Sequence, residues 1–150
     1  MDLHRETVAI GSDHAGFRMK EFLKGKLEEW GFEVRDYGTF SEASVDYPDF
    51  IHPLAFSIDR KKIRAGIVIC GSGNGAAMVA NKYSNVRAAL CWDLEIARLA
   101  RLHNNANIIA LPARFISSET AADCVHIFMN TSFEGGRHEV RVSKIPGILK

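Results

Sequence analysis

The fold is decided by the stretch Ala65-Gly66-Ile67-Val68-Ile69-Cys70-Gly71-Ser72-Gly73-Asn74-Gly75. Its first six residues form a short apolar run with the length of a buried strand. Its last five form a glycine-rich turn that leads into a helix-like segment, Ala76 to Tyr83. A buried strand that turns directly into a helix is typical of a parallel sheet, because parallel strands need long crossovers that helices usually supply.

The same strand–loop–helix pattern recurs on both sides of this stretch. The other predicted strands are residues 8–10, 32–37, 86–91 and 108–111, and the other predicted helices are residues 17–30, 49–62, 94–102 and 117–128. Right-handed crossovers place helices on both faces of such a sheet. The pattern therefore predicts a three-layer α/β/α sandwich, Rossmann-like, with a five-stranded parallel sheet.

Length and composition fit one globular domain over residues 1–150. Of the 150 residues, 47% are hydrophobic and 25% charged, and the formal net charge is +1, so we expect no general attraction to nucleic acid or to an anionic membrane. The start of the chain is charged and no segment approaches the ~20 apolar residues of a membrane span, so we expect a cytoplasmic protein. From about Glu134 the chain is a polar, basic tail that we expect to extend or to clasp a neighbour.

Two loops are expected to form a binding cleft. Ligands of open parallel sheets bind beyond the carboxyl ends of the strands, where the strand order reverses. The loop after the first strand offers Ser12, Asp13 and His14, and the loop after the third strand offers Cys70 and residues 71–75. The glycine loop can present backbone N–H groups to an anion or oxyanion, although a plain tight turn is the alternative. Its G-x-G-x-G spacing disfavours a dinucleotide site, and the absence of Gly-Lys-Ser/Thr excludes a Walker loop.

Several side chains have both a structural and a functional interpretation. Cys70 precedes a helix, a position that favours the thiolate, so it could be a base or a nucleophile. The structural alternative is a small buried side chain. Cys91 and Cys124 lack such a loop and are interpreted as buried, free thiols. Asp13 and His14 could form a helix cap or a site, as could the run His103-Asn104-Asn105. The cations Arg114, Arg137, His138 and Arg141 form either a solvated basic face or a phosphate clamp.

Five motifs occur together in this chain: residues 11–16 (GSDHAG), 46–49 (DYPD), 70–75 (CGSGNG) with 80–82 (ANK), 103–105 (HNN), and 135–138 (GGRH) with Arg141. In this order they resemble the type B ribose-5-phosphate isomerases, whose family includes the galactose-6-phosphate and allose-6-phosphate isomerases. The resemblance spans residues 8 to about 145. It implies the sandwich predicted above, an enzyme without metal or cofactor, and a homodimer or homotetramer.

The resemblance also implies a role for each site residue. Cys70 would move a proton between C2 and C1 through a cis-enediolate, while Ser72 and the loop Gly71, Gly73, Asn74 and Gly75 would stabilise the oxyanion. His103 with Asp13 would open the furanose ring. His14, Arg114, Arg137 and Arg141 would hold the phosphate, and Tyr47 and Asn104 would line the sugar. Some relatives carry a glutamate base where this chain has Ala76, so Cys70 has no evident substitute.

The implied reaction interconverts ribose 5-phosphate and ribulose 5-phosphate. The alternatives are a hexose-phosphate isomerase of the same family, acting on allose 6-phosphate or galactose 6-phosphate, and a catalytically silent module that binds sugar phosphates. The order of elements adds one expectation about assembly. His103 ends a returning helix and lies at the amino end of the sheet, whereas Asp13 and Cys70 lie at the carboxyl end, so the sites are expected to be shared between subunits.

Overall fold

The computed structural model of the chain describes residues 5–147. Residues 1–4, at the charged start, and residues 148–150, at the end of the basic tail, lie outside the described residues. Five strands form one sheet, and all of its ladders are parallel. The strands are β1 (Thr7–Ser12), β2 (Glu33–Asp36), β3 (Ala65–Cys70), β4 (Ala88–Leu90) and β5 (Ile108–Pro112).

Helices link the strands and cover both faces of the sheet. They are α1 (Phe17–Glu29), α2 (Tyr47–Asp59), α3 (Asn74–Ala80), α4 (Leu94–Leu102), α5 (Ser118–Asn130) and α6 (Arg137–Ser143), with a 3₁₀ turn at His14–Gly16. Within residues 5–147 no helix has the length and apolar character that a membrane span requires. The predicted three-layer sandwich is confirmed, whereas the extent of one domain over residues 1–150 stays a prediction.

The core has two halves because successive strand side chains point to opposite faces of the sheet. Val8 and Ile10 of β1 belong to the half that α1, α4 and α5 cover. Ala9 of β1 and Cys70 of β3 belong to the other half, under α2 and α3. All six residues of β3 are buried, as the apolar run predicted.

The strand order is β2-β1-β3-β5-β4. The chain therefore leaves β1 toward one side of the sheet to form β2 and returns on the other side to form β3. Ser12, the last residue of β1, is paired with Ile69 in β3. β1 and β3 are therefore neighbours, and the point where the strand order reverses lies between the loops that carry Asp13 and Cys70.

The element bounds differ from the prediction in two places that matter for the site. α2 begins at Tyr47 instead of Asp49, because Pro48 fits the first helical turn, where its missing N–H is not needed. The tail was expected to extend or to clasp a neighbour, and it contains a helix that was not predicted, α6, which starts after Gly135 and Gly136, both at positive φ (72° and 56°). A seven-residue helix is too short to be stable alone, so α6 depends on its contacts with the rest of the chain.

An ion pair that the sequence did not indicate joins α1 to β2. Lys20 is fully buried, and its Nζ lies 2.6 Å from Oδ2 of Asp36, which Lys24 also contacts at 2.8 Å. Burial raises the pKa of Asp36, but hydrogen bonds from Lys20, Lys24 and the Gly38 N–H outweigh it and hold this pKa below its usual value. Asp36 ends β2, so the pair fixes the edge strand to the helix that covers it.

Candidate active site

The loop after β1 is held by its own side chains. Oδ1 of Asp13 accepts a hydrogen bond from the Gly16 N–H at 3.2 Å and so caps the 3₁₀ turn. Nδ1 of His14 accepts from the Val45 N–H at 3.1 Å. An imidazole that accepts at Nδ1 carries its proton at Nε2 when neutral, so His14 presents a donor on its other nitrogen. The cap interpretation of Asp13 is correct, and it leaves the carboxylate beside the cleft.

Cys70 lies directly beside this loop. It is the last residue of β3 and is 4% exposed, on the face covered by α2 and α3. The Asp13 N–H donates to the carbonyl of Ile69 at 3.3 Å, so the two loops are joined one residue before the thiol. Ser12 lies at the same edge, and its buried hydroxyl has no hydrogen-bond partner among the described residues. The structure therefore brings together the two loops that the sequence singled out.

The glycines of the loop after β3 have packing reasons of their own. Gly73 is in the left-handed region (φ 77°), and a Cβ there would lie 2.4 Å from Leu90 Cδ1. A Cβ on Gly75 would lie 2.5 Å from Cζ of Tyr47. The hydroxyl of Ser72 accepts from the Asn74 N–H at 3.2 Å, at the start of α3. Glycine at position 73 is thus favoured by its left-handed backbone, and glycine at position 75 leaves room for the ring of Tyr47, independently of any bound anion.

The same contacts bring two predicted binding residues to the loop. The ring of Tyr47, at the start of α2, packs on Gly75. The guanidinium of Arg114 approaches Gly71, where Nη1 would be 3.2 Å from an added Cβ, and the Arg114 N–H donates to the Gly71 carbonyl at 3.0 Å. One group of predicted residues therefore gathers at the carboxyl end of the sheet: Asp13, His14, Tyr47, Cys70, Gly71, Ser72, Gly73, Asn74, Gly75 and Arg114.

The remaining predicted residues lie at the opposite end of the sheet. His103 caps the C-terminus of α4, and α4 runs back to the amino end of β5. Asn104 lines a cavity of about 520 Å³ together with Asn81 and Lys82. Arg137 and Arg141 are carried by α6. A five-residue strand such as β5 spans roughly 16 Å, so His103, Asn104, Arg137 and Arg141 form a second group that is separate from Cys70 within one chain.

His103 belongs to a cluster that the sequence did not predict. Its ring stacks on that of His138, with centroids 4.2 Å apart and an angle of 14° between the planes. Oε2 of Glu134 lies 3.8 Å from Nε2 of His103 and 3.9 Å from Nε2 of His138. His138 was predicted as one of the cations of the basic tail, and the structure buries it against the ring of His103. Burial lowers its pKa, and the charges of His103, Arg137 and Arg141 lower it further, against the opposing effect of Glu134.

The composition of this cluster is that of a metal site, but its geometry is not. The possible ligand atoms of His103, Glu134 and His138 all lie within 4.8 Å of one another. An ion bound to an imidazole nitrogen lies close to the plane of that ring, and two stacked, nearly parallel rings share no such position. The neighbouring guanidinium groups also disfavour a cation. We therefore assign no metal to this cluster.

A larger cavity lies elsewhere and is lined by none of the predicted site residues. It has a volume of about 970 Å³ and is lined by residues from the amino ends of β3 and β5, with Arg87 and Arg101. The Arg101 guanidinium donates to the carbonyls of Ala106 (2.6 Å) and Thr131 (3.1 Å), and Arg87 donates to the carbonyl of Asn105 at 2.7 Å. Both arginines therefore stabilise loops through these hydrogen bonds. The volume of the cavity alone does not identify it as the active site.

The other two cysteines are unsuited to proton transfer. Cys91 and Cys124 are fully buried. Burial, with contributions from nearby charges, raises the pKa of Cys91 to about 12 and that of Cys124 to about 11. Both thiols therefore stay protonated near neutral pH. The prediction that all three cysteines are free thiols is confirmed.

Comparison with known proteins decides the family. The sequence model described as Ribose/Galactose Isomerase matches residues 8–145. The chain belongs to this family. The resemblance, the fold class and the enzyme class that the sequence analysis predicted are confirmed, and the chain is an isomerase of the ribose/galactose isomerase family.

Relatives of the ribose/galactose isomerase family match this chain over nearly its whole length. Ribose-5-phosphate isomerase B of Escherichia coli is 38% identical over 94% of this chain and 95% of its own length. A ribose 5-phosphate isomerase structure from Thermotoga maritima is 50% identical, with a TM-score of 0.92 over 95% of this chain and 99% of its own. Ribose-5-phosphate isomerase B of Mycoplasma genitalium was solved with bound ribulose-5-phosphate, at 38% identity and a TM-score of 0.91, over 95% of this chain and 96% of its own.

Proposed function

We propose that this member of the family interconverts ribose 5-phosphate and ribulose 5-phosphate, with Cys70 as the base. The observation that carries the proposal is the position of Cys70, at the end of a buried strand between Asp13 and the glycine loop. The proposal is further supported by relatives that are named ribose-5-phosphate isomerase B and by the ribulose-5-phosphate bound to one of them.

The chemistry requires one base and a group of donors. In the open-chain aldose, the Cys70 thiolate takes the proton from C2, and the carbonyl oxygen O1 receives the electron pair, which gives a cis-enediolate. The hydroxyl proton of O2 then passes to O1. The Cys70 thiol returns its proton to C1, and O2 becomes the carbonyl oxygen of the ketose. Ser72 and the N–H groups of residues 71–75 would stabilise the charge that develops on the oxygens, because preorganised donors act strongly in a site that excludes water. The burial of Cys70 provides such a site.

The remaining residues of the carboxyl-end group would bind the rest of the substrate. His14 presents an Nε2–H donor, and Arg114 presents a guanidinium beside Gly71, so both can donate to phosphate oxygens. Tyr47, which is 37% exposed beside Gly75, can contact the sugar. This half of the site can hold and deprotonate an open-chain sugar phosphate, and Asp13 is its candidate for taking the proton of the C1 hydroxyl when the ring opens.

We propose that a second copy of the chain supplies the other half. His103, Asn104, Arg137 and Arg141 lie at the opposite end of the sheet, too far to reach Cys70 of the same chain. In a two-fold dimer, each subunit would offer its amino-end group to the partner and receive the same in return, which builds two equivalent sites. His103 would then assist ring opening, and Arg137 and Arg141 would add to the phosphate site. Whether two or four chains assemble does not change this pairing.

Turnover of three sugars tests the substrate. The purified enzyme is assayed with ribose 5-phosphate, allose 6-phosphate and galactose 6-phosphate, and we expect kcat/KM to be highest for ribose 5-phosphate. One additional carbon changes binding in a pocket by only about 10- to 200-fold, so the comparison needs full kcat/KM values. A preference for a hexose phosphate would change the proposed substrate and leave the proposed proton transfer unchanged.

Solvent exchange tests the chemistry against the alternative of a silent binding module. In deuterium oxide, an isomerase incorporates deuterium at C2 of ribose 5-phosphate, whereas a module that only binds the sugar does not. We expect incorporation with the wild-type protein. Its absence, with binding confirmed by calorimetry, would establish the silent module. A cytoplasmic location and the absence of nucleic-acid and membrane partners stay predictions of the sequence.

A further inference from the structure

His103 is held on two sides by residues that have no role in the proposed function. The stacked ring of His138 covers one face of the imidazole, and the Glu134 carboxylate lies near its Nε2. The His103 side chain remains 35% exposed, whereas that of His138 is 9% exposed. One part of the His103 ring is therefore fixed by its own chain, and the other is open to a substrate or to a partner subunit.

The position of Glu134 is tied directly to the end of α4. Its backbone N–H donates to the carbonyl of Leu102, the residue before His103, at 3.0 Å. This bond fixes the backbone of Glu134 beside the end of α4, so the carboxylate stays within reach of His103. An acid beside one imidazole nitrogen favours a proton on that nitrogen and so sets the role of the other, as in the carboxylate–histidine pairs of many enzymes. The present separation of 3.8 Å would have to shorten, which is common when a site is completed by its substrate.

His138 has the properties of a neutral spacer. Its Nε2 is buried and has no hydrogen-bond partner among the described residues. Burial and the neighbouring cations lower its pKa, which disfavours a second positive charge beside His103. A second charged imidazole in its place would compete for Glu134, which lies at almost equal distances from both rings.

We propose that Glu134 and His138 are positioning residues for His103, which they orient for opening of the furanose ring. The inference rests on the proposed function, in which His103 touches the cyclic sugar. During ring opening the Asp13 carboxylate takes the proton of the C1 hydroxyl, and the protonated His103 gives a proton to the ring oxygen O4 as the C1–O4 bond breaks and C1 becomes the carbonyl carbon. Glu134 stabilises the imidazolium that donates to O4, and the flat ring of His138 prevents His103 from turning away.

The chemistry of the two substrates provides a selective test. Ribose 5-phosphate is mainly cyclic, whereas ribulose 5-phosphate stays open because its C5 hydroxyl carries the phosphate. Turnover of the aldose therefore needs ring opening, but deuterium exchange at C1 of the ketose does not. In Glu134→Gln we expect kcat/KM for ribose 5-phosphate to fall by about tenfold or more, while exchange into the ketose stays within about twofold. His138→Ala should behave in the same way, and His138→Phe, which keeps a flat ring, should recover most of the loss.

Controls separate positioning from a general structural effect. Glu139→Gln makes the same charge change at an exposed position of α6 and should leave both reactions unchanged. Adding Glu134→Gln to His103→Ala should cost less than about twofold beyond His103→Ala alone, because residues that act through one group are not additive. Thermal unfolding of each variant checks that it is folded.

The possible results bear separately on the positioning role of Glu134 and on the proposed function. The positioning role is refuted if Glu134→Gln impairs turnover of the aldose and exchange into the ketose equally, or impairs neither. It is also refuted if Glu134→Gln still lowers kcat/KM for ribose 5-phosphate tenfold in the His103→Ala background. The proposed function survives these results as long as the wild-type enzyme turns over ribose 5-phosphate. If the wild-type enzyme shows no turnover, the proposed function itself fails.

Discussion

The Cys70 side chain is the residue on which the proposed chemistry depends most. Replacing Cys70 with Ala should lower kcat by roughly two to four orders of magnitude, the usual contribution of a general base, while KM changes little. Deuterium incorporation at C2 should disappear with it. Cys124→Ala is the matched control, since it removes an equally buried thiol from the other half of the core and should keep kcat. Turnover near that of wild type in Cys70→Ala would remove Cys70 from the mechanism.

Arg137 and Arg141 are predicted to bind the substrate phosphate. A charged hydrogen bond contributes about 1.5–3 kcal/mol, so Arg137→Ala or Arg141→Ala should raise KM by about 10- to 150-fold with a smaller effect on kcat. Inorganic phosphate should also inhibit each variant less. Lys144→Ala removes an exposed cation just after the same helix and should change neither quantity. Unchanged phosphate inhibition in both arginine variants would show that they form a solvated basic face.

At the scale of single residues, the sequence predicted what depends on local pattern. Cys70 and its glycine loop were found because an apolar run followed by glycines is a local signal. The burial of His138 was not found, because it arises from the contact of α6 with the end of α4, more than thirty positions away along the chain. Lys20 was missed for the same kind of reason, since a lysine in a helix is usually exposed, and here the carboxylates of Asp36 and Glu21 pair with its buried ammonium group.

At the scale of elements, the Lys20–Asp36 pair should matter far more than a surface pair on the same helix. Asp36→Ala leaves a buried lysine without its main partner, which typically costs about 3–5 kcal/mol in the free energy of unfolding. Glu29→Ala breaks an exposed pair with Lys26, 3.7 Å long, and should cost less than about 1 kcal/mol. Urea denaturation of both variants checks the difference, and equal losses would contradict it.

The same pair makes stability depend on pH in the acid range. The pKa of Asp36 is lower in the folded protein than in the unfolded chain, so between these two values the unfolded chain binds more protons. Its contribution to stability is therefore complete above the unfolded value near 3.8 and is lost as the pH falls through the lower folded value. In urea denaturation below about pH 4, Asp36→Ala should lose less stability with falling pH than the wild-type protein. Parallel curves for the two proteins would exclude this contribution.

The elements that the sequence predicted well are those stabilised by their own composition. The buried strands β1, β3 and β5 lie where the apolar runs indicated. α6 was missed because seven residues that include Val140 and Val142 have little intrinsic helix propensity, and its packing on α4 could not be seen from the sequence. β4 has three residues, fewer than the predicted strand of residues 86–91, because it lies at the sheet edge and pairs with β5 alone.

At the scale of the whole molecule, the separation of the two residue groups can be tested by mixing variants. Cys70→Ala and His103→Ala homodimers should each be impaired. In a co-refolded mixture about half of the dimers are hybrids, in which one site carries both changes and the other carries none. Activity should then recover to roughly a quarter of the wild-type value if the sites act independently. The controls are mixtures of each variant with itself.

Failure of this test has one clear meaning. If hybrids form, as shown by mass spectrometry of differently tagged chains, and activity stays at the average of the two variants, then Cys70 and His103 serve the same chain's site. The helix that ends at His103 would then have to rearrange, since the sheet now holds the two residues at opposite ends.

The distance between the ends of the sheet also sets how the reaction rate depends on dilution. In the proposed shared arrangement, a single chain lacks half of the site and is expected to be inactive until it binds another copy. Well below the dissociation constant of the dimer, the amount of dimer grows with the square of the chain concentration, so activity per milligram should rise in proportion to concentration before it levels off. Substrate that contacts both chains would stabilise the dimer, so half of the maximal activity per milligram would be reached at a lower chain concentration. Binding of the substrate would then promote assembly of the active enzyme.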